Sequence, residues 1–201
     1  MKAAGTLNPN HPKKGAHITV QAIRDLNAID NIKKMLSSKP RDLLLFTLGV
    51  NNGLRVGDLL KLKVSQVKNL KAGDSINIIE SKTGKTNVLV VNKSVFKTLR
   101  GYLEAVKPED NDFVFASRKG SKALTTGAVN GMVKTWCHAI NITGNFGAHT
   151  LRKTFGYIQR KVYGVGFEIL AKRFAHSSPS ITMRYLGLSS DEVVSILNHE
   201  I

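Results

Sequence analysis

Two short clusters in the sequence combine phosphate-binding side chains with a turn or a helix start. Residues 53–58 have the sequence Gly-Leu-Arg-Val-Gly-Asp, in which Asp58 could orient the guanidinium of Arg55. His149 and Arg152 are three residues apart and therefore share one face of a predicted helix. Such an arginine can hold a phosphate while the histidine transfers a proton near neutral pH. A surface arginine in an ordinary turn, and a capping histidine beside a solvated arginine, remain the alternatives.

A third cluster places a histidine ahead of a tyrosine. His176 precedes Tyr185 by nine residues, and Pro179 fits the first turn of a short helix that carries the tyrosine. A tyrosine in a short helix is usually a half-buried aromatic, so Tyr185 by itself indicates little. The chain has four tyrosines, and the other three are interpreted as packing residues of other helices: Tyr102, Tyr157 and Tyr163.

These clusters lie among segments with a mainly helical pattern. The recurrence of apolar residues predicts helices over residues 18–36, 41–50, 54–67, 94–106, 125–140, 149–162, 167–174, 178–186 and 191–199. Alternation over 76–80 and again over 88–91 predicts a β-hairpin with its turn at 82–85. Residues 113–116 fit a short edge strand. The expected fold class is α+β, mostly α-helical, with a small antiparallel β-sheet.

Length and composition indicate one globular domain over residues 18–201. The 201 residues, of which 42% are hydrophobic, suffice to bury a core. Residues 1–17 lack an apolar stretch, and we expect a flexible basic tail there. No apolar run approaches the roughly 18 residues that span a bilayer. Cys137 has no second cysteine to pair with and is interpreted as a core thiol in a reduced, cytoplasmic setting.

Net charge is the strongest signal in the composition. Thirty Lys and Arg against 14 Asp and Glu give +16, which favours a polyanionic partner and nucleic acid above all. An acidic membrane surface or ribosomal RNA would account for the same charge. The histidines lack the spacing of a zinc site, and no glycine lies five residues before Gly84 as a P-loop requires. Metal and nucleotide cofactors are therefore not expected.

Taken in order, the clusters resemble the active site of the tyrosine recombinase, or phage integrase, family. The similar motifs are Gly-Leu-Arg-Val-Gly-Asp at 53–58, Ser-Lys-Thr-Gly at 81–84, His-Thr-Leu-Arg at 149–152, and the step from His176 to Tyr185. Each motif is weak alone, but all four occur in the family's order over residues 38–188, about three quarters of the chain. The family usually has glycine where this chain has Ala175. It usually also has an N-terminal helical domain that clamps the DNA, for which the residues before 38 are too few.

The resemblance implies the fold of a recombinase catalytic domain, and a reaction that cuts and rejoins DNA through a 3′-phosphotyrosine with neither metal nor ATP. The implied site residues are Arg55, Lys82, His149, Arg152, His176 and Tyr185. Tyr185 would be the nucleophile, and the two arginines would hold the non-bridging oxygens of the phosphate. His176 would hydrogen-bond the phosphate or position the tyrosine, and His149 is similar to the family's general base. Lys82 is similar to the general acid, with Lys85 on the same turn as its rival.

The same resemblance implies double-stranded DNA as the partner and a tetramer on paired DNA sites. Residues 192–201 are amphipathic, and they either pass to a neighbouring subunit or pack on their own domain. A type IB topoisomerase uses similar chemistry, and a DNA-binding module that kept the fold but lost catalysis is a further alternative. Because all six reacting positions are present, loss of catalysis is the less favoured interpretation.

Overall fold

The computed structural model describes residues 19–118, 120 and 122–188, which form helices and one β-hairpin. The elements of this part of the chain are α1 Leu26–Met35, α2 Pro40–Asn52, α3 Val56–Leu59, α4 Val64–Val67, β1 Ser75–Ile79, β2 Thr86–Val90, α5 Lys93–Val106, α6 Thr126–Ala139, α7 Ala148–Lys161, α8 Phe167–Phe174 and α9 Pro179–Leu186. The predicted α+β class, mostly helical with a small antiparallel sheet, is confirmed. The tail expected at 1–17 and the segment 191–201 lie outside the described residues.

Helix α2 leads directly into the first cluster of candidate residues. It begins at Pro40, where the missing N–H of proline is not needed. It ends at Gly53, whose φ of 60° is left-handed and whose N–H donates to the carbonyl of Gly49. A Cβ at Gly53 would overlap the ring of Phe155, so backbone conformation and packing both require glycine. The turn at Gly53 sets the direction in which the chain runs from α2 to Arg55.

The predicted hairpin is confirmed, with β1 and β2 antiparallel and Ile78 paired with Asn87. Alternation along β1 buries Ile78 and leaves Ile79 72% exposed. Glu80 follows in phase with Ile78 and is fully buried, although it is charged. The turn beyond it carries Lys82 into solvent.

Three predicted elements differ from the structure. The helix expected over 18–36 begins only at Leu26, because Asp25 is an extended N-cap and the N–H of Gln21 donates to the carbonyl of Asn145. The helix expected over 54–67 is two short helices, because Lys63 between them is extended and forms an isolated β-bridge with Phe113. The edge strand expected over 113–116 is not a strand, because its ends pair with two different partners, Lys63 and Ala123. A continuous ladder with one neighbour is therefore not available to this segment.

The main core forms around α2, which packs against α5 and α7. Phe46 of α2 meets Trp136 of α6 edge to face, with ring centroids 5.9 Å apart. The neighbouring Cys137 is a free thiol, and burial raises its pKa to about 12. Its interpretation as a core thiol is therefore confirmed. In the described part of the chain no helix is long and apolar enough to cross a membrane.

A second, smaller cluster joins α7 to α8 and α9. Leu170, Phe174 and Leu186 form its buried centre, with Phe155 and Tyr185 packed against it. Gly156 of α7 lies so close that a Cβ there would come within 2.7 Å of Phe174 Cζ and 2.8 Å of Leu186 Cδ2. This close approach brings the helix that bears Arg152 against the elements that bear His176 and Tyr185.

Candidate active site

Arg55 lies at the N-terminus of α3, immediately after the turn that ends α2. Its Nη1 forms an ion pair with Oε2 of Glu80 at 2.5 Å. The buried carboxylate of Glu80 also accepts hydrogen bonds from Thr83 Oγ1 at 2.7 Å and Asn87 Nδ2 at 2.9 Å. Burial raises the pKa of Glu80, but the bonds from Thr83 and Asn87 and the Arg55 guanidinium outweigh it, so the pKa is lowered. Glu80 is therefore an ionised partner of Arg55.

Asp58 does not take the role expected from the sequence. Its Oδ1 accepts two hydrogen bonds from Ser81, from the backbone N–H at 2.9 Å and from Oγ at 2.7 Å. The carboxylate that pairs with Arg55 is Glu80. The expectation that Asp58 orients Arg55 is therefore wrong, and Asp58 instead fastens the base of the hairpin turn to α3.

An open cleft of about 390 Å³ runs between α3, the hairpin turn and the start of α7. Arg55, Lys82 and His149 all line it. Lys82 is exposed at the turn, and His149 is exposed near the N-terminus of α7. Desolvation of the His149 ring and the charges of Arg152 and Arg55 lower its pKa. At neutral pH His149 is therefore uncharged and able to accept a proton.

Arg152 lies on α7 three residues beyond His149 and is 3% exposed. Its Nη1 donates to the carbonyl of Gly53 at 2.6 Å, and its Nη2 donates to the carbonyl of Phe174 at 2.8 Å. The guanidinium also lies over the Phe174 ring, 4.6 Å from its centroid. Burial lowers the Arg152 pKa to about 10, so the group stays cationic. Since hydrogen bonds to charged groups contribute about 1.5–3 kcal/mol each, Arg152 binds the end of α2 firmly to the end of α8.

Tyr185 packs its ring against aromatic residues at the C-terminal end of α8. The ring centroid lies 5.2 Å from that of His176 and 5.7 Å from that of Phe174, both edge to face. His176 is itself held by a contact of 2.9 Å between Nδ1 and Oγ1 of Thr182. Lys153 Nζ lies over the Tyr185 ring, 4.8 Å from the centroid. The nucleophile predicted from the sequence is therefore held from several sides.

The hydroxyl of Tyr185 is buried and makes no well-aligned hydrogen bond among the described residues, although Arg152 lies close enough to donate towards it. Burial raises the pKa of Tyr185, although the charges of Arg152 and Arg55 oppose the shift. Burial likewise lowers the pKa of His176, again with Arg152 and Arg55 acting on it. Both arginines thus act electrostatically on the tyrosine and on the two histidines of the predicted site. The guanidinium of Arg152 lies over the Phe174 ring. The rings of His176 and Tyr185 pack against the same phenyl ring, so these groups share one small region of the protein.

The predicted residues divide between two layers of this region. Arg55, Lys82 and His149 line the cleft. The three other predicted residues are not among the residues that line it: Arg152, His176 and Tyr185.

The predicted packing role is confirmed for Tyr102, which is 2% exposed, and for Tyr157, which packs against the core. It is wrong for Tyr163, whose side chain is 67% exposed at the end of α7.

Ala175 occupies the tight turn between α8 and His176. Its φ of 51° and ψ of 38° are left-handed, and its N–H caps α8 by donating to the carbonyl of Lys172. The turn therefore forms without glycine, in a conformation that costs an L-residue about 1–2 kcal/mol. At Ala175, where the resemblance leads us to expect glycine, glycine would therefore have a physical advantage.

Sequence reasoning missed a partly buried polar network that includes Arg173 and Asn87. Arg173 Nη1 donates to Asn87 Oδ1 at 2.6 Å and to the carbonyl of Val88 at 2.8 Å. Its Nε donates to the carbonyl of Asn52 at 2.9 Å. Glu80 continues the alternation that buries Ile78 in β1, and a charged residue at such a position indicates that a cation is buried with it. No pattern in the neighbouring sequence indicates the role of Arg173. In the described residues, no group of three or more His, Cys, Asp or Glu side chains is placed to hold a metal ion.

Comparison with known proteins identifies the family of this chain. A model of the phage integrase family matches residues 17–192. The chain belongs to the phage integrase family. A relative from Bacillus subtilis strain 168, named as the probable integrase/recombinase YoeC, is 34% identical over 174 residues, which cover 86% of this chain and 92% of YoeC. The resemblance drawn from the sequence motifs is therefore confirmed.

Solved structures of recombinases share the fold of this chain. The XerA recombinase superimposes with a TM-score of 0.72 at 21% identity, covering 92% of this chain and 68% of XerA. The XerH site-specific recombinase, in a post-cleavage complex with its palindromic difH substrate, gives a TM-score of 0.70 at 20% identity. The match covers 92% of this chain and 55% of the XerH chain, so this protein spans about half of that recombinase. The phage integrase fold is thus present in this chain.

Proposed function

We propose that this phage integrase family protein is a site-specific recombinase that cuts and rejoins DNA through a 3′-phosphotyrosine at Tyr185. The observation that carries the proposal is the gathering of the predicted residues. Arg55, Lys82 and His149 line one cleft. Arg152 donates to the last carbonyl of α8, beside which the rings of His176 and Tyr185 pack together. A nucleophile, a proton acceptor and two permanent cations in one region match the requirements of phosphoryl transfer.

The arginines would stabilise the transition state of the reaction. Attack on a phosphodiester spreads negative charge over the non-bridging oxygens, and a guanidinium matches them with two parallel donors. Arg55 lines the cleft, and Arg152, buried on α7, would supply the second guanidinium. A preorganised donor of this kind is worth about 3–4 kcal/mol in a water-poor site. In this proposal the protein's own cations do this work, so no metal or ATP takes part.

Proton transfer would be divided between the two sides of the phosphate. Tyr185 keeps its proton at neutral pH because burial raises its pKa, so a base must remove the proton as the oxygen attacks phosphorus. His149, whose pKa is lowered by desolvation and by Arg152 and Arg55, would accept that proton. Lys82 would protonate the departing 5′ oxygen, leaving a 5′-hydroxyl and a 3′-phosphotyrosine. Attack of a 5′-hydroxyl on the phosphotyrosine then rejoins DNA.

The partner in this proposal is double-stranded DNA. The net charge of +16 favours binding to a polyanion, and the exposed Lys82 turn and Arg55 lie at the same cleft. Because the Tyr185 hydroxyl is buried in the structure, it must become accessible when a phosphate occupies the site. A tetramer on paired DNA sites and a cytoplasmic location belong to the same proposal.

Covalent trapping on DNA tests the nucleophile. With a nicked substrate whose cleavage releases a short fragment, the wild-type protein should form an adduct that survives denaturing electrophoresis. Tyr185→Phe should abolish the adduct and leave DNA affinity nearly unchanged, because only the hydroxyl oxygen is removed. Tyr163→Phe is the matched control, since Tyr163 is exposed outside the site, and it should form the adduct normally.

Three outcomes would contradict parts of the proposal. An adduct that persists in Tyr185→Phe would refute the nucleophile assignment. A wild-type protein that binds DNA but never forms an adduct would be a non-catalytic binding module. Relaxation of supercoiled plasmid that lacks any target site would point to topoisomerase-like activity instead of recombination.

A further inference from the structure

Glu80 is the feature that the proposed chemistry does not use. Its side chain is completely buried, next to a cleft that would have to bind a polyanion. A buried carboxylate without partners is strongly unfavourable, and one beside a phosphate site would also repel the substrate. The contacts of Glu80 with Arg55 and with the hairpin residues show how the protein accommodates it.

Both carboxylate oxygens of Glu80 have defined partners. Oε2 faces Nη1 of Arg55 at 2.5 Å and accepts the Thr83 hydroxyl, while Oε1 accepts Asn87 Nδ2. Among these partners Arg55 carries the charge, and the other two are neutral donors. The carboxylate therefore takes its orientation from the hairpin and directs its negative charge at one end of the Arg55 guanidinium.

The hairpin side of this arrangement is fixed in turn by Arg173. Asn87 accepts from Arg173 Nη1 through Oδ1, and it donates through Nδ2 to Glu80 and to the carbonyl of Arg173. Arg173 also donates to the carbonyl of Asn52 at the end of α2. A continuous polar path thus runs from α8 through β2 to Glu80 and ends at Arg55.

We infer that Glu80 is the positioning residue for Arg55, holding one edge of its guanidinium so that the remaining donors meet the scissile phosphate in the cleft. The inference rests on the proposed function, in which Arg55 contacts that phosphate. Arg173 and Asn87 act one step further back by fixing the carboxylate. Glu80 itself does not touch the substrate, and its effect on catalysis passes through Arg55.

Substitution by glutamine separates the charge of Glu80 from its shape. The Asn87 amide donates to Oε1, so in Glu80→Gln the oxygen of the new side-chain amide must face Asn87. The –NH₂ group of that amide then faces Arg55, which places donor against donor. Glu80→Gln should therefore release the Arg55 guanidinium while leaving the surrounding packing nearly unchanged.

The test compares cleavage and DNA affinity in Glu80→Gln. We expect the rate of adduct formation at saturating DNA to fall about 10- to 100-fold, since a misplaced donor loses most of its transition-state contribution. DNA affinity should stay the same or become tighter, because a negative charge beside the cleft is lost. A slower reaction without weaker DNA binding distinguishes a positioning role from damage to the fold, which would lower both the rate and the affinity. Glu104→Gln makes the same charge change at an exposed site on α5 and should alter neither.

A double substitution tests whether Glu80 acts through Arg55. Arg55→Ala should slow cleavage about 100- to 1,000-fold, and adding Glu80→Gln should change that rate less than about two-fold further. Multiplicative losses in the double variant, or an undiminished rate in Glu80→Gln, would overturn the inference while leaving the Tyr185 adduct of the wild type intact. Absence of the wild-type adduct would instead refute the proposed function, and this inference with it.

Discussion

Replacing Ala175 by glycine should stabilise this protein. Ala175 caps α8 with a φ of 51°, a left-handed conformation that only three non-glycine residues adopt in the described part of the chain. Its Cβ lies close to its own carbonyl oxygen in this conformation, which costs about 1–2 kcal/mol. Glycine removes that cost but has more freedom in the unfolded chain, which offsets about 0.5–1 kcal/mol. The net gain in unfolding free energy should be about 0.5–1 kcal/mol.

The gain can be measured by urea denaturation followed by circular dichroism, with wild type and variant side by side. For a chain of this size it corresponds to a rise in Tm of about 1–4 °C. Ala105→Gly is the matched control, because Ala105 is exposed inside α5 in a right-handed helix. That control should lose about 1 kcal/mol, the ordinary difference between glycine and alanine within a helix.

If residue 175 is left-handed, the substitution of alanine by glycine should raise the free energy of unfolding at position 175 and lower it at position 105. A loss of stability in Ala175→Gly equal to that in Ala105→Gly would show that the turn is not left-handed in solution. It would also remove the physical reason for treating Ala175 as a meaningful departure from the glycine of the phage integrase family. An unchanged midpoint in both variants would refute the reasoning about backbone strain altogether.

Two further predictions concern protons. Burial, with the charges of Arg152 and Arg55, lowers the pKa of both His149 and His176 from 6.5, so the unfolded chain binds protons first. The free energy of unfolding should therefore be highest above about pH 6.5 and decline as the pH falls below that value. In His176→Gln this decline should be smaller. A urea midpoint that is equal at about pH 7.5 and 5.5 would contradict the prediction. Lys82→Ala should abolish cleavage, whereas Lys85→Ala should spare it, because of these two lysines only Lys82 lines the cleft; equal losses in the trapping assay would reverse the assignment.

The helices and the hairpin follow from local patterns, and so they could be predicted. Helical spacing of apolar residues and alternation around Ile78 reflect burial of one face, which the sequence shows directly. The segment around Lys63 could not be predicted in the same way. Its extended conformation depends on pairing with Phe113, which lies far away along the chain, and local propensity contains no information on that pairing.

Prediction of the site was limited for the same reason. The six proposed residues stand in recognisable motifs, but the contacts that hold them cannot be read from those motifs. Asp58 was the nearest acidic residue to Arg55 in sequence, yet the hairpin brings Glu80 to it across the fold. The carbonyls of Gly53 and Phe174 that hold Arg152 leave no trace in residue type, since every residue has a carbonyl. Contacts made through the backbone can therefore be found only from the structure.

The burial of Cys137 has a practical consequence for following how the protein meets DNA. It is the only cysteine in the sequence, and with its pKa raised by burial to about 12 it has almost no thiolate at neutral pH. Maleimide reagents should therefore leave the native protein unlabelled. A cysteine introduced at the exposed Lys85 would accept a fluorophore selectively, with no need to remove Cys137 from the core. The approach of the hairpin turn to labelled DNA could then be followed in the otherwise unaltered protein.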